Sequence, residues 1–259
     1  MFSLQHVRSP RDLCDVFVDV ITTHHMVWET YHVLHGDISY SNIAFDLQHT
    51  EDGTQQASGM LIDWDSASSS TAKCGAKESK STRKLGPFTA CELLQDIGRS
   101  SYSIHKYRHD LESFFWVLVW FCAVFDPANP TVLRAIPTWR SSDLVDLGHA
   151  KARFFTRSKD FEQVTENTSP AYRGFIKTWI IQFCNVFSRS FEASEQERIA
   201  AEEYVQNKLC LRGKVRDKWE GIFVEDWNAA RARLREMDSY EDVMEILGDL
   251  ENSPLPSQH

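Results

Sequence analysis

No two of the eleven glycines are spaced as G-x-G, so the chain carries no glycine loop of the kind that covers nucleotide phosphates. The six cysteines, Cys14, Cys74, Cys91, Cys122, Cys184 and Cys210, form no CxxC pair and no even ladder. Several sit inside apolar runs, which reads as reduced core thiols of an intracellular protein, cytoplasmic or nuclear. Basic residues are in deficit, 28 Lys and Arg against 37 Asp and Glu, for a net charge of -9. That balance speaks against nucleic acid and against an anionic membrane as partners. The first dozen residues lack the long apolar core of a signal peptide. The longest apolar run, Phe114 to Phe125, is too short to cross a bilayer and suits a buried core helix. Internal repeats are absent, and no composition break marks a second domain. What remains is ample material for a core: 259 residues, 42% hydrophobic and 12% aromatic.

The stretch that carries chemistry is His35-Gly36-Asp37-Ile38-Ser39-Tyr40-Ser41-Asn42, answered by Ile62-Asp63-Trp64-Asp65. Val33-Leu34, Ile43 to Leu47 and Gly59 to Ile62 read as short strands. Asp52-Gly53 is a hairpin-turn signal between the last two. A hairpin there returns Asp63 beside Asn42. An Asp and an Asn on one loop, with a second Asp at the next strand end, gather oxygen ligands around a hard cation. Mg²⁺ takes such ligands, keeps several waters and shares its shell with substrate phosphates. The remaining carboxylate can accept a proton from an attacking hydroxyl, which completes the parts of phosphoryl transfer. Taken singly, each of these residues is more simply a turn or strand-end residue.

Around this stretch the chain reads as helices. Ser9 can cap, Pro10 suits a first turn, and Asp12 completes a capping-box pattern. Leu13, Val16, Phe17, Val20, Val27, Trp28 and Tyr31 then mark one helical face. His24 and His25 are adjacent on it, diverge in direction, and are read as packing or solvated residues rather than a joint metal site. His105 and His109 have i,i+4 spacing without an accompanying HExxH, so a packing role outweighs a metal role. The run into FFWVLVWFCAVF predicts a helix apolar all round, as in the middle of a domain. Asp126-Pro127 and Asn129-Pro130 end that helix. Ser169-Pro170 repeats the cap device ahead of an aromatic stripe, Tyr172, Phe175, Ile176, Trp179, Ile180, Phe183 and Phe187. Residues 192–236 are charge-rich and helical, with Trp219, Trp227 and Leu234 as expected anchors.

His35-Gly36-Asp37 with Asn42 resembles the H-R-D-x-x-x-x-N catalytic loop of protein kinases, and Asp63-Trp64-Asp65 resembles the D-F-G position. With FTACELL and HKYRHDLESFFWVLVWF following in order, the chain resembles the fungal-type protein kinase family from about Arg8 to about Phe125. The resemblance implies a mainly α (α+β) fold: a kinase-like C-lobe over 1–251 with a small β-hairpin at the catalytic loop, and a tail over 252–259. It implies Asp37 and Ser39 as catalytic, Asn42, Ala44 and Asp63 as nucleotide-binding, and Asn42 and Asp63 as Mg²⁺ ligands. It makes residues 64–92 an activation-segment-like loop, whose part 66–86 carries Lys73, Lys77, Lys80, Arg83 and Lys84 against Glu78. It makes Glu92 a structural acid paired with an Arg from a later helix. It makes Asp110 the residue that holds the catalytic-loop backbone.

Two departures qualify what the resemblance implies. Gly36 stands where many kinases carry an Arg, and Ser39 where many carry a Lys. Only 34 residues precede His35, where kinases place a small lobe with its phosphate-gripping Lys and helix Glu. The expectation is therefore a large lobe alone, with ATP affinity no better than roughly millimolar. Three functional readings stay open: an ATP-dependent phosphotransferase acting on protein Ser or Thr, an inactive scaffold that binds a protein partner, and a phosphotransferase for small alcohols. The HGD and IDWD wording fits the last as well.

Overall fold

The computed structural model describes residues 1–49, 53–69, 85–97, 104–126, 136, 139, 143–157, 159–210, 213–236 and 240–251. Most of the expected activation-segment-like loop, Asp52, the prolines at 127 and 130, and the tail from 252 lie outside the described residues.

Helix α1 (Pro10–Tyr31) starts as its sequence dictates: Asp12 N donates to Ser9 Oγ at 3.1 Å, and Pro10 occupies the first turn. Leu13, Val16, Phe17, Val20, Ile21 and His24 line its buried face. The apolar face expected to reach Tyr31 ends earlier, since Tyr31 is 68% exposed. The helix closes at His32, which takes a left-handed conformation.

Strand β1 (Phe2–Ser3) pairs with β3 (Ile43–His49), which pairs with β4 (Gln55–Leu61), all antiparallel in the order β1-β3-β4. The register runs from Ile43 opposite Leu61 to His49 opposite Gln55. Both hairpin strands are longer than their apolar alternation indicated, because backbone pairing continues through the polar residues near the turn. A second, two-stranded sheet joins β2 (Val33–Leu34) to β5 (Ser68–Ser69).

The hairpin is held against α1 at one close approach. Gly59 N donates to Asp19 Oδ2 at 2.8 Å, and a Cβ at Gly59 would lie 2.4 Å from the Val16 carbonyl oxygen. Backbone cannot retreat as a flexible side chain can. Gly59→Ala should therefore lower stability by about 2 kcal/mol, read as a reduced urea midpoint. An unchanged midpoint would mean that α1 and the hairpin are not docked in this way.

Helix α2 (Cys91–Gln95) leads to α3 (Tyr107–Val124), which is buried on every side but for Trp120. Phe115 and Trp116 of α3 meet Phe154 and Phe155 of α4 (Leu144–Phe155); α5 (Lys159–Glu166) packs on α4, and α6 (Arg173–Phe175) follows. A π-helical stretch, Ile176–Ile180, continues into the long α7 (Ile181–Cys210). Helices α8 (Gly213–Glu236) and α9 (Tyr240–Glu251) follow. The fold is thus mainly α with two small antiparallel sheets. Trp116, Trp179, Tyr172, Phe114, Phe121 and Phe154 fill the core, and the stripe from Tyr172 to Phe187 faces it.

Ser169 does not cap by its side chain; its hydroxyl donates to Asp126 Oδ1 at 3.1 Å, drawn across to the end of the central helix. Leu234 is buried as expected and Trp227 half-buried, but Trp219 is 42% exposed on the outer face of α8. Cys14, Cys91, Cys122 and Cys184 are buried thiols, whereas Cys210 is exposed. Burial pushes the Cys14 thiol up to about 12, which makes it inert. No described helix is long and apolar enough to cross a membrane.

Candidate functional site

The loop from His35 to Asn42 leaves β2 and is fastened from below by one carboxylate. Asp110, on the first turn of α3 and 1% exposed, accepts from His35 N at 2.8 Å and from Gly36 N at 3.4 Å. His24 Nε2 meets its Oδ2 at 2.9 Å and His105 Nε2 its Oδ1 at 2.8 Å. Burial alone would push this carboxyl up. The charge and hydrogen bond of His105, and then those of His24, outweigh it and hold Asp110 well below the usual range. Gly36 has φ +76°, and a Cβ there would lie 3.1 Å from the Ser66 carbonyl oxygen. The departure from Arg at this position therefore suits both backbone and space.

His35 is buried and neutral, for a reason its partners make plain. Nδ1 accepts from Asp37 N at 3.2 Å, while Nε2–H donates to the Ile62 carbonyl at 3.0 Å. Burial lowers its pKa, so both bonds persist at neutral pH. One imidazole thus ties the residue before Asp63 to the residue that bears the loop carboxylate.

Asn42, 8% exposed, closes the same loop. Its Nδ2 donates to the Asp37 carbonyl at 2.8 Å, and its own carbonyl accepts from Ile62 N at 2.9 Å. The amide nitrogen is committed to the loop, which makes Oδ1 the atom with ligand character. Across the hairpin register Asn42 faces Ile62, one residue before Asp63. Asp63 is exposed and left-handed, φ 61° and ψ 63°, a conformation Asp tolerates better than most residues. Trp64 locks the next position: its ring lies 4.7 Å from His35, and Nε1 donates to the Leu61 carbonyl at 3.0 Å. The structure therefore brings Asn42 against the Asp37 backbone and sets Asp63 at the adjoining strand end. Among the described residues, no cluster of three or more His, Cys, Asp or Glu is arranged to hold a metal. Asn42 and Asp63 offer two hard oxygen donors, a set that fits Mg²⁺ when phosphates and water complete the shell.

Ser39 is half-buried, with Oγ 2.9 Å from Ser41 Oγ. Ala44 is 3% exposed and lies opposite Ser3 and Met60 in the sheet. Beside the loop is a cavity of about 180 Å³ lined by Asp37, Ser39, Tyr40, Phe88, Thr89 and His105, among others. Tyr40 stacks on Trp120 at 4.6 Å, and Phe88 meets the same ring edge-on at 5.8 Å. Lys151 Nζ donates to the Thr89 carbonyl at 2.6 Å and lies 4.6 Å from the Trp116 ring centre.

Residues 2–122 match the family described as Fungal protein kinase, and the match takes in every position just described except Lys151. No curated protein and no solved structure matches the chain. Within the matched segment, Glu92 pairs with Arg108 on α3, and His109 Nε2 reaches the same carboxylate oxygen at 3.0 Å. His105 and His109, at metal-binding spacing, thus serve two different carboxylates. His24 went unrecognised by sequence reasoning as a holder of Asp110. The available signal was its place on the Leu13, Val16, Phe17, Val20 stripe, where a buried His needs a partner.

Proposed function

We propose that this chain carries the phosphoryl-transfer site of an ATP-dependent protein kinase, with a Ser or Thr hydroxyl on protein as acceptor. The observation that carries this is the Asn42 amide, bonded to the Asp37 carbonyl while its backbone pairs with Ile62 next to Asp63. The loop carboxylate and the strand-end carboxylate are then held on one frame.

In this reading Asp37 orients the acceptor hydroxyl and takes its proton as the bond from that oxygen to the γ-phosphorus forms and the bond to the leaving ADP oxygen breaks. Asn42 Oδ1 and Asp63 would hold Mg²⁺, which supplies charge neutralisation to the phosphate oxygens. Ser39 donates a hydrogen bond toward the acceptor side, and Ala44 underlies the adenine side. The acceptor cavity, at about 180 Å³, is smaller than the ~300–1,000 Å³ of small-molecule sites. It suits one hydroxyl-bearing side chain with Tyr40 and Phe88 as walls, which supports a protein acceptor over a small alcohol.

The test is transfer of labelled γ-phosphate to a Ser/Thr-rich protein substrate by the full chain. Asp37→Asn should reduce the rate at least about 100-fold, and Asp63→Asn should remove its Mg²⁺ dependence. Equal incorporation by wild type and Asp37→Asn would overturn the assignment.

A further inference from the structure

A second cavity, about 590 Å³, opens between α1, the start of α3, α7 and α8. Its lining is part aromatic: Trp28 stacks on Tyr107 at 5.2 Å, and Trp227 stacks on Tyr204 at 5.5 Å. It is also part cationic, with Lys106, Arg108, Arg231 and Arg235 among the lining residues. Arg231 lies 6.0 Å over the Trp227 ring. Glu197, the one carboxylate of the lining among the described residues, accepts from Trp227 Nε1 at 2.7 Å. Arg108 is 5% exposed and spends one Nη on Glu92, yet its buried Nε has no hydrogen-bond partner among the described residues. Burial lowers the pKa of Lys106, as do the charges of Arg108 and Arg231, while Glu92 and Glu197 act in the opposite direction. In a protein of net charge -9, this is a concentrated positive site with an unsatisfied buried donor.

Helix packing alone would fill such a space with side chains or cover it with acids. Here the volume falls in the range of small-molecule sites, and the flat rings and cations call for a flat anion. We propose that this cavity binds a small phosphate monoester that carries a flat aromatic ring, its ring beside Trp28 and Trp227 and its phosphate among Lys106, Arg108 and Arg231. The source of that chemistry is either a phosphorylated phenol or a nucleoside monophosphate. Neither Asp37, Asn42 nor Asp63 lines the cavity, although His105 borders both cavities.

Calorimetric titration of the full chain with phenyl phosphate, and separately with AMP, tests it. Wild type should bind at least one of them, and the tighter of the two identifies the source. Arg231 and Arg235 are exposed, so the double variant Arg231→Gln/Arg235→Gln should fold with an unchanged urea midpoint. It should bind at least about tenfold more weakly. Inorganic phosphate should also bind wild type at least about tenfold more weakly, since it lacks the ring. Asp37→Asn should bind as wild type does. No heat with either probe at up to about 10 mM, equal affinity in the double variant, or inorganic phosphate binding as tightly as phenyl phosphate would each overturn the proposal.

Discussion

Asp110→Asn should lower the unfolding free energy by roughly 3–5 kcal/mol, read as a large drop in the urea midpoint. The carboxylate accepts from two backbone N–H groups and meets two imidazoles, with almost no water to replace any of them. An Asn has one acceptor oxygen, and its NH₂ would face a ring nitrogen placed to meet an acceptor. A buried donor left unsatisfied costs about 1–3 kcal/mol. The loop that carries Asp37 would loosen together with the fold. A variant of native stability would mean that the His35–Gly36 backbone is held by something other than this carboxylate.

Acid should destabilise the protein from near-neutral pH downward, well before ordinary carboxylates protonate. His109 has its pKa pushed down to about 3 from an ordinary 6.5, first by burial and then by the charge of Arg108. Its hydrogen bonds require the same neutral form: Nδ1 accepts from Lys106 N at 3.1 Å, while Nε2–H donates to Glu92. A depressed folded value means that the unfolded chain binds the proton first. The stability is therefore complete above about pH 6.5 and is lost as pH falls towards 3. His35 is shifted in the same direction by burial and adds to the loss.

Glu92 extends the effect to lower pH. Burial alone would raise it, but the His109 hydrogen bond and the Arg108 charge hold it far below its ordinary 4.5. Its contribution is present above about pH 4.5 and fades below. Glu112 opposes these groups, since burial raises its pKa and protonation in the fold then favours the native state. The full loss from His109 is on the order of 4 kcal/mol. Urea midpoints measured from pH 7.5 to 4 should fall steadily below pH 6.5, and His109→Gln should flatten that slope. A flat profile in wild type would contradict the neutral, buried His109.

The placement of the candidate residues was legible in the sequence because they are local or joined by a hairpin. Residues 37 and 42 share one loop, and the Asp52-Gly53 turn signal with its flanking strands returns residue 63 to them. The all-round apolar character of Phe114 to Phe125 likewise marks a central helix whatever packs around it. What escaped were contacts that only tertiary placement makes. His24 meets Asp110 86 residues on, and nothing in the pattern around either points to the other. The Arg partner of Glu92 could be expected but not chosen; it is Arg108, 16 residues later at the start of α3. Ser169 carries the signature of a cap yet donates to Asp126, because the end of the central helix lies within its reach. Trp219 looks like an anchor on a charged helix but sits on the outer face of a two-helix layer.

The central claim, that Asn42 and Asp63 meet at one hard-cation site beside Asp37, is tested most directly by paramagnetic NMR with Mn²⁺ in the presence of ATP. Amide signals of residues 37 to 42 and 62 to 64 should broaden first, and Asp63→Asn should abolish the selectivity. Broadening centred elsewhere, or unaffected by Asp63→Asn, would contradict a phosphoryl-transfer site at this loop.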